Sequence, residues 1–418
     1  MRFGLALLIC AAAFGQQTPP PTPQPARAQQ APPSVVAGIP VNYDEAKVGD
    51  YKLPEIGAKD RKTWETKRRP EIVRLFEENE YGRAPGRPAG MTFEVFDKGT
   101  PAFDGKALRK QITIHFGPEH SADLLLYTPA STTKPVPVLL NISFSPNSST
   151  IDDPGIKPGE MWGRDHKRVP APKGGIGRMN PLPFLQAGFG VASIYYGDID
   201  PDFLGGEPLG VRAMYPEPKA DEWGAIAAWA WGLSRALDYL ETDKAVDAKK
   251  VALVGISRLG KTVMWAGAHD QRFAMVIASC SGEGGAALSR RNYGETIAHL
   301  TEPTRFPYQF AANYAKYAKA VDQFPVDAHM LVALMAPRPV LLQTGDKDFW
   351  SDPKGEFLAA VAAEPVYKLY GKQGLGTDQM PAPGEPILHD IGYLEHSGGH
   401  GTIPSDWDVF VKFMQMHF

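Results

Sequence analysis

Cysteine is nearly absent from this chain of 418 residues: there are two, Cys10 and Cys280. Cys10 falls in an amino-terminal apolar run, which leaves one thiol in the rest of the chain and no internal disulfide. Such a fold must be held by buried apolar surface, and a chain of this length has enough of it. Charge of one sign is also lacking, with 44 Lys and Arg against 47 Asp and Glu and a formal net charge of −3. That balance excludes a general polyanion-binding surface and with it a nucleic-acid partner. No His, Cys and Asp grouping has the spacing of a metal-ligand set, so neither a metal nor another cofactor is expected. A GxxxxGK[ST] phosphate loop and internal repeats are missing too.

Long apolar runs are missing as well. Residues 3–14 form an apolar stretch of about a dozen, behind the positive start Met1-Arg2 and ahead of small residues ending at Gly15. That is too short to span a bilayer and has the three-part pattern of a secretory signal, which predicts an exported protein, periplasmic or secreted, with no membrane association once residues 1–15 are removed. Residues 16–33 are mostly Gln, Pro, Ala and Thr and read as an extended, disordered linker. Residues 34–418 remain as a single catalytic domain.

What is present is ordinary globular material, 43% hydrophobic and 22% charged, with glycine and proline together about a fifth of the chain and hence many loops. Residues 108–116 alternate polar and apolar, as an outer antiparallel strand does. Runs at 122–127, 136–144, 190–196, 251–255, 274–278, 340–344 and 366–370 have the length and composition of buried strands. Between them, 221–240 places Trp223, Ile226, Ala227, Ala230, Leu233, Leu237 and Leu240 at helical spacing. Further helices are expected at 262–268, 356–363 and 406–416. This alternation predicts an α/β fold, a mostly parallel central sheet with helices on both faces.

The chemistry gathers at Val251-Ala-Leu-Val-Gly255-Ile-Ser257-Arg258-Leu-Gly260-Lys261. A buried strand ends in glycine, a serine follows, and a helix begins, as in a nucleophile elbow. The second glycine falls at 260, where the usual spacing would put it at 259. The helix start also offers N–H groups where an oxyanion would form. A glycine-rich strand–helix turn can also serve packing alone. A serine nucleophile needs a base and an orienting acid. Asp346 and Asp348 follow the strand at 340–344, and a glycine-rich loop then carries His396 and His400. The order Ser, Asp, His is that of the α/β-hydrolases. His400, between glycines, is the better placed base, and His396 is its rival or a loop support. His269, His299 and His329 lie in or beside helices and read as structural.

Taken together, Gly255-Ile-Ser257-Arg258-Leu-Gly260-Lys261, Ser281-Gly-Glu-Gly-Gly285, Arg290-Arg291-Asn-Tyr-Gly294-Glu295, Asp348-Phe-Trp350-Ser-Asp-Pro353 and Gly398-Gly-His400-Gly401 resemble the bacterial glucuronoyl esterases, carbohydrate esterase family 15. The resemblance implies an α/β-hydrolase fold and cleavage of esters of 4-O-methyl-glucuronic acid, as in the cross-links between glucuronoxylan and lignin. It makes Ser257 the nucleophile, His400 the general base and Arg258 an oxyanion group. It places Lys261, Glu295 and Trp350 on the sugar, roles that suit hydrogen-bonding charges and an indole face. Many members carry the triad acid at the position held here by Cys280. Others use the later Asp, here Asp348, and Glu283 is the alternative acid. The other readings are an acetyl-xylan or other carbohydrate esterase on the same fold, and a non-catalytic carbohydrate-binding relic. The expected enzyme is a monomer whose partner is its polysaccharide ester.

Overall fold

In the central strand Val251 and Leu253 pack into one apolar cluster while Ala252 and Val254 pack into another, all without exposure. A strand with both faces apolar has to be covered on both, and this requirement organises the molecule. The computed structural model describes residues 32–215 and 219–418. The signal expected at 1–15, and the expected linker up to residue 31, lie outside the described residues.

Ten strands form the main sheet: β1 (Thr92–Ala102), β2 (Ala107–His115), β3 (Ser121–Pro129), β4 (Val136–Ser143), β5 (Gly190–Tyr195), β6 (Val246–Ile256), β7 (Met275–Ser279), β8 (Val340–Gly345), β9 (Ile387–Leu388) and β10 (Ile391–His396). Their order across the sheet is β9-β10-β8-β7-β6-β4-β5-β3-β2-β1. The six strands from β10 to β5 run parallel, and β3, β2 and β1 continue antiparallel at one edge. On one face lie α2 (Ala225–Leu240), α3 (Arg258–His269) and α4 (Pro353–Lys368), with α1 (Arg69–Phe76) beyond them. On the other, α5 (Pro404–His417) packs Phe410, Phe413 and Met414 against Leu139, Ala252 and Leu341. This is the three-layer α/β-hydrolase arrangement that the strand–helix alternation predicts.

Two expectations need correction. Residues 366–370 are not a strand; 366–368 close α4, where Val366 and Tyr367 are buried one turn after Ala363. Core packing along the helix overrides the β preference of the aromatic and branched side chains. Three strands of the main sheet were unforeseen. β1 is an edge strand with alternating exposure, β9 is only two residues long, and β10 ends in Glu395 and His396, too polar to read as a buried strand.

The parallel register brings four strand ends to one edge. Ile256 of β6 pairs with Ser279 of β7, and Gly345 of β8 pairs with His396 of β10. The loops leaving these ends therefore meet above the sheet, where α/β folds place their sites.

Candidate active site

Ser257 lies between β6 and α3 with φ 61° and ψ −129°, a left-handed conformation that a non-glycine residue adopts only when its surroundings enforce it. Its N–H donates to Ser279 O at 2.8 Å, which ties the turn to β7. A Cβ on Gly255 would stand 2.2 Å from Leu259 O, and one on Gly260 would stand 2.8 Å from Ser279 O. This explains the displaced glycine. Residue 260 is where helix and strand touch, while Leu259 turns into the core.

The residues expected as base and acid lie on the loops after β10 and β8. His400 Nδ1 is 2.7 Å from Asp348 Oδ2, with Ser351 Oγ at 3.2 Å from the same nitrogen. Burial opposes ionisation of Asp348, yet His400, Ser351 and Cys280 together hold its carboxyl below the usual carboxylate range. With Nδ1 engaged, Nε2 is the nitrogen left to face a serine. The two loops are fastened together: Gly398 N donates to Asp346 Oδ1 at 2.8 Å, and Lys347 N donates to Gly398 O at 2.8 Å. His396 is the support and not the rival. Its Nδ1 is 2.8 Å from Asp406 Oδ2 and its Nε2 is 3.0 Å from Gly399 O, directly behind His400.

Glu283 is not brought to His400. It is fully buried, accepting from Ser289 Oγ at 2.6 Å and Tyr314 OH at 2.7 Å, and burial pushes its carboxyl up to about 8. No arginine pairs with Glu283 among the described residues. Arg290 and Arg291 instead pair with Asp327 and Asp352. Cys280 is 1% exposed, accepts from Gly401 N, and lies against Asp348 and His400. Burial raises its thiol well above the ordinary value, so it stays neutral. His269 faces Glu77, His299 caps a helical turn and His329 meets Pro54 O.

Two lobes open from the elbow, and Ser257, Arg258 and His400 line both. One, about 380 Å³, is charged, with Lys261, Glu295, Arg305 and Trp350 in its wall. Lys261 is buried, donates to Ser281 O at 2.7 Å and stands 3.6 Å from Glu295. Arg305 lies 3.3 Å from the other oxygen of Glu295 and over the Trp350 ring. The second lobe, about 540 Å³, includes Phe144, Ile176 and Tyr196 and is more apolar. Arg258 sits at the junction, paired with Asp202 at 2.5 Å and lying over Phe306. A half-buried cation held beside the serine, at a helix start, suits a developing oxyanion. Asp202, Arg305, Phe306 and Gln309 went unnoticed in the sequence, because they sit in loops with no spacing signal.

Residues 213–371 match a family model described as glucuronyl esterase, fungi. The chain is 43% identical over 400 residues to carbohydrate esterase MZ0003 from an unknown prokaryotic organism, covering 90% of this chain and 92% of that relative. Its structure is similar to a glucuronoyl esterase from Solibacter usitatus, with TM-score 0.86 and 46% identity over 90% of this chain and all of the other. It is also similar to a promiscuous CE15 esterase from the marine bacterial metagenome, with TM-score 0.83, 42% identity and the same coverage.

Proposed function

The chain belongs to the glucuronoyl esterases, carbohydrate esterase family 15, and from that membership we propose that it hydrolyses esters of glucuronic acid and its 4-O-methyl ether, including those that join glucuronoxylan to lignin alcohols. The observation that carries this substrate is the charged lobe: Lys261, Glu295 and Trp350 stand beside the serine, suited to a hydroxyl-rich ring.

In this reading Ser257 Oγ attacks the ester carbonyl while His400 Nε2 takes its proton. Asp348 fixes the imidazole tautomer and stabilises the imidazolium. The tetrahedral oxyanion forms beside Arg258 and the first N–H groups of α3. Its collapse breaks the bond to the alcohol, which takes the proton from His400 and leaves through the apolar lobe. A water deprotonated by His400 then attacks the glucuronoyl-enzyme, releasing the uronic acid and restoring Ser257.

Export follows from the signal expected at residues 1–15, and amino-terminal sequencing of protein from the periplasm or medium tests it. Among the described residues no helix is long and apolar enough to cross a membrane. Sedimentation tests the expected monomer.

The deciding assay compares methyl and benzyl glucuronate esters with an acetylated xylan, using the parent and Ser257→Ala. Turnover of the glucuronate esters, lost by several orders of magnitude in a folded Ser257→Ala, is expected. Preference for the acetyl ester would reject the substrate, and activity surviving in the variant would reject the nucleophile.

A further inference from the structure

We infer that Asp202 is a positioning residue for the reaction: its carboxylate pins the Arg258 guanidinium at the oxyanion position. The inference rests on the reading of Arg258 given above.

Asp202 lies seven residues beyond the end of β5, and its side chain is 9% exposed. It accepts from four donors. Tyr308 OH reaches Oδ1 at 2.8 Å and Gln309 Nε2 reaches it at 2.7 Å. Tyr196 OH reaches Oδ2 at 3.1 Å and Arg258 Nη1 reaches it at 2.5 Å. A carboxylate has about four lone-pair directions, and here every one is used. The donors come from separate stretches of chain, the end of β5, the start of α3 and the turn at 308–309, so the carboxylate cannot rotate to follow the arginine. The arginine must follow it.

The arrangement bears on rate because Arg258 is a long side chain at the junction of two open lobes. A free arginine has many rotamers, and their entropy is lost when the side chain is fixed. Phe306 beneath the guanidinium and Asp202 at Nη1 settle its position before substrate arrives, which is where preorganised electrostatics gain their advantage. Only Nη1 is consumed, so Nη2 and Nε–H stay available to the oxyanion. No other carboxylate pairs with Arg258 among the described residues, and Asp202 is not bonded to His400.

Asp202→Asn keeps the shape while removing the charge and turning an NH2 group toward donors. Benzyl glucuronate hydrolysis should show kcat reduced roughly 10–100-fold, with KM within about threefold, because the cation is misplaced in the transition state and ground-state sugar binding is untouched. The readout that a purely structural role would not reproduce is a double-mutant cycle with Arg258→Ala. In that background Asp202→Asn should change kcat less than about twofold. An equal loss in both backgrounds would overturn the inference, since Asp202 would then act on the fold. Arg258→Ala with unchanged kcat would instead overturn the oxyanion reading of Arg258. Should melting curves show Asp202→Asn unfolded, Tyr308→Phe removes one donor from the same carboxylate. A kcat loss confined to the Arg258 background supports the inference, while no loss, or loss in both backgrounds, refutes it.

Discussion

Asp348→Asn keeps the volume of the side chain and removes its charge, which isolates what the carboxylate does for His400. The site around it is built of donors: the His400 ring at 2.7 Å, with Ser351 and Cys280 also turned to the carboxyl. An amide must point its NH2 at one of them. If it faces His400, the ring is held in the wrong tautomer. If its oxygen does, the tautomer survives but the imidazolium formed during proton transfer has lost its counter-charge. Opposite charges about 3 Å apart are worth on the order of 5 kcal/mol at an effective dielectric constant of about 20. Such a loss corresponds to roughly 10³–10⁴ in kcat, the range found when a triad aspartate becomes asparagine. Ser351 Oγ, 3.2 Å from the same nitrogen, can still accept a bond and favours the lower end. Glu283→Gln is the matched control. Glu283 is bonded to Ser289 and Tyr314 and is protonated at neutral pH, so kcat should stay within about threefold. The assay is kcat on benzyl glucuronate near pH 7.5, with melting curves to show that both variants are folded. Asp348→Asn within tenfold of the parent, beside Glu283→Gln reduced 10³-fold, would refute the assignment.

Lys261→Ala, Glu295→Ala and Trp350→Ala should each lower kcat/KM on a glucuronate ester by roughly 10–100-fold while changing an aryl acetate less than about threefold; equal losses on both substrates would make these residues supports of the fold. His396→Ala removes the ring between Asp406 and Gly399 O, leaves the buried Asp406 carboxyl with the Ile403 N–H alone, and should cost about 1–3 kcal/mol of stability together with roughly tenfold in kcat. Parent-like melting and rate would show that the His400 loop does not depend on it. Burial pushes Glu283 and Glu356 each up to about 8, whereas an unfolded chain releases such protons near pH 4.3. The native state therefore binds more protons across that window, and stability must fall as pH rises through it. The melting temperature should drop by several degrees between pH 6 and 9, and Glu283→Gln should flatten the slope; a slope unchanged in the variant would mean that Glu283 is not protonated in the fold.

The central sheet could be read from the sequence because its strands are buried on both faces, and continuous apolar runs such as Val136–Ser143 and Val340–Gly345 have few other uses. Elements at the margin carried less signal. β1 is half solvent-facing, with Glu94, Asp97 and Lys98 among its residues, and among the described residues its only sheet neighbour is β2. In α4 the aromatic run after Pro365 imitates a strand, and only the tertiary contacts of Val366 and Tyr367 decide the matter.

The site divides along the same line. Ser257, Asp348 and His400 each lie within four residues of a strand end, so chain order and a turn pattern sufficed to nominate them. Asp202 and Arg305 act through partners more than 50 and about 10 residues away, Arg258 and Glu295, and nothing in local sequence foretells such a meeting. The contest between the two acids was also beyond the sequence. Glu283 is near Cys280 in the chain, but Gly282, with φ 62°, turns the backbone after Ser281, and Glu283 ends among Ser289 and Tyr314. Asp348 leaves β8, the strand beside β10, and the fastening of Asp346 and Lys347 to Gly398 carries it to the imidazole. A neutral thiol at 280 fits this arrangement, because it fills the space against Asp348 without adding a second negative charge beside it. An acid there would share one histidine with Asp348, and like charges so close would raise the pKa of at least one of them.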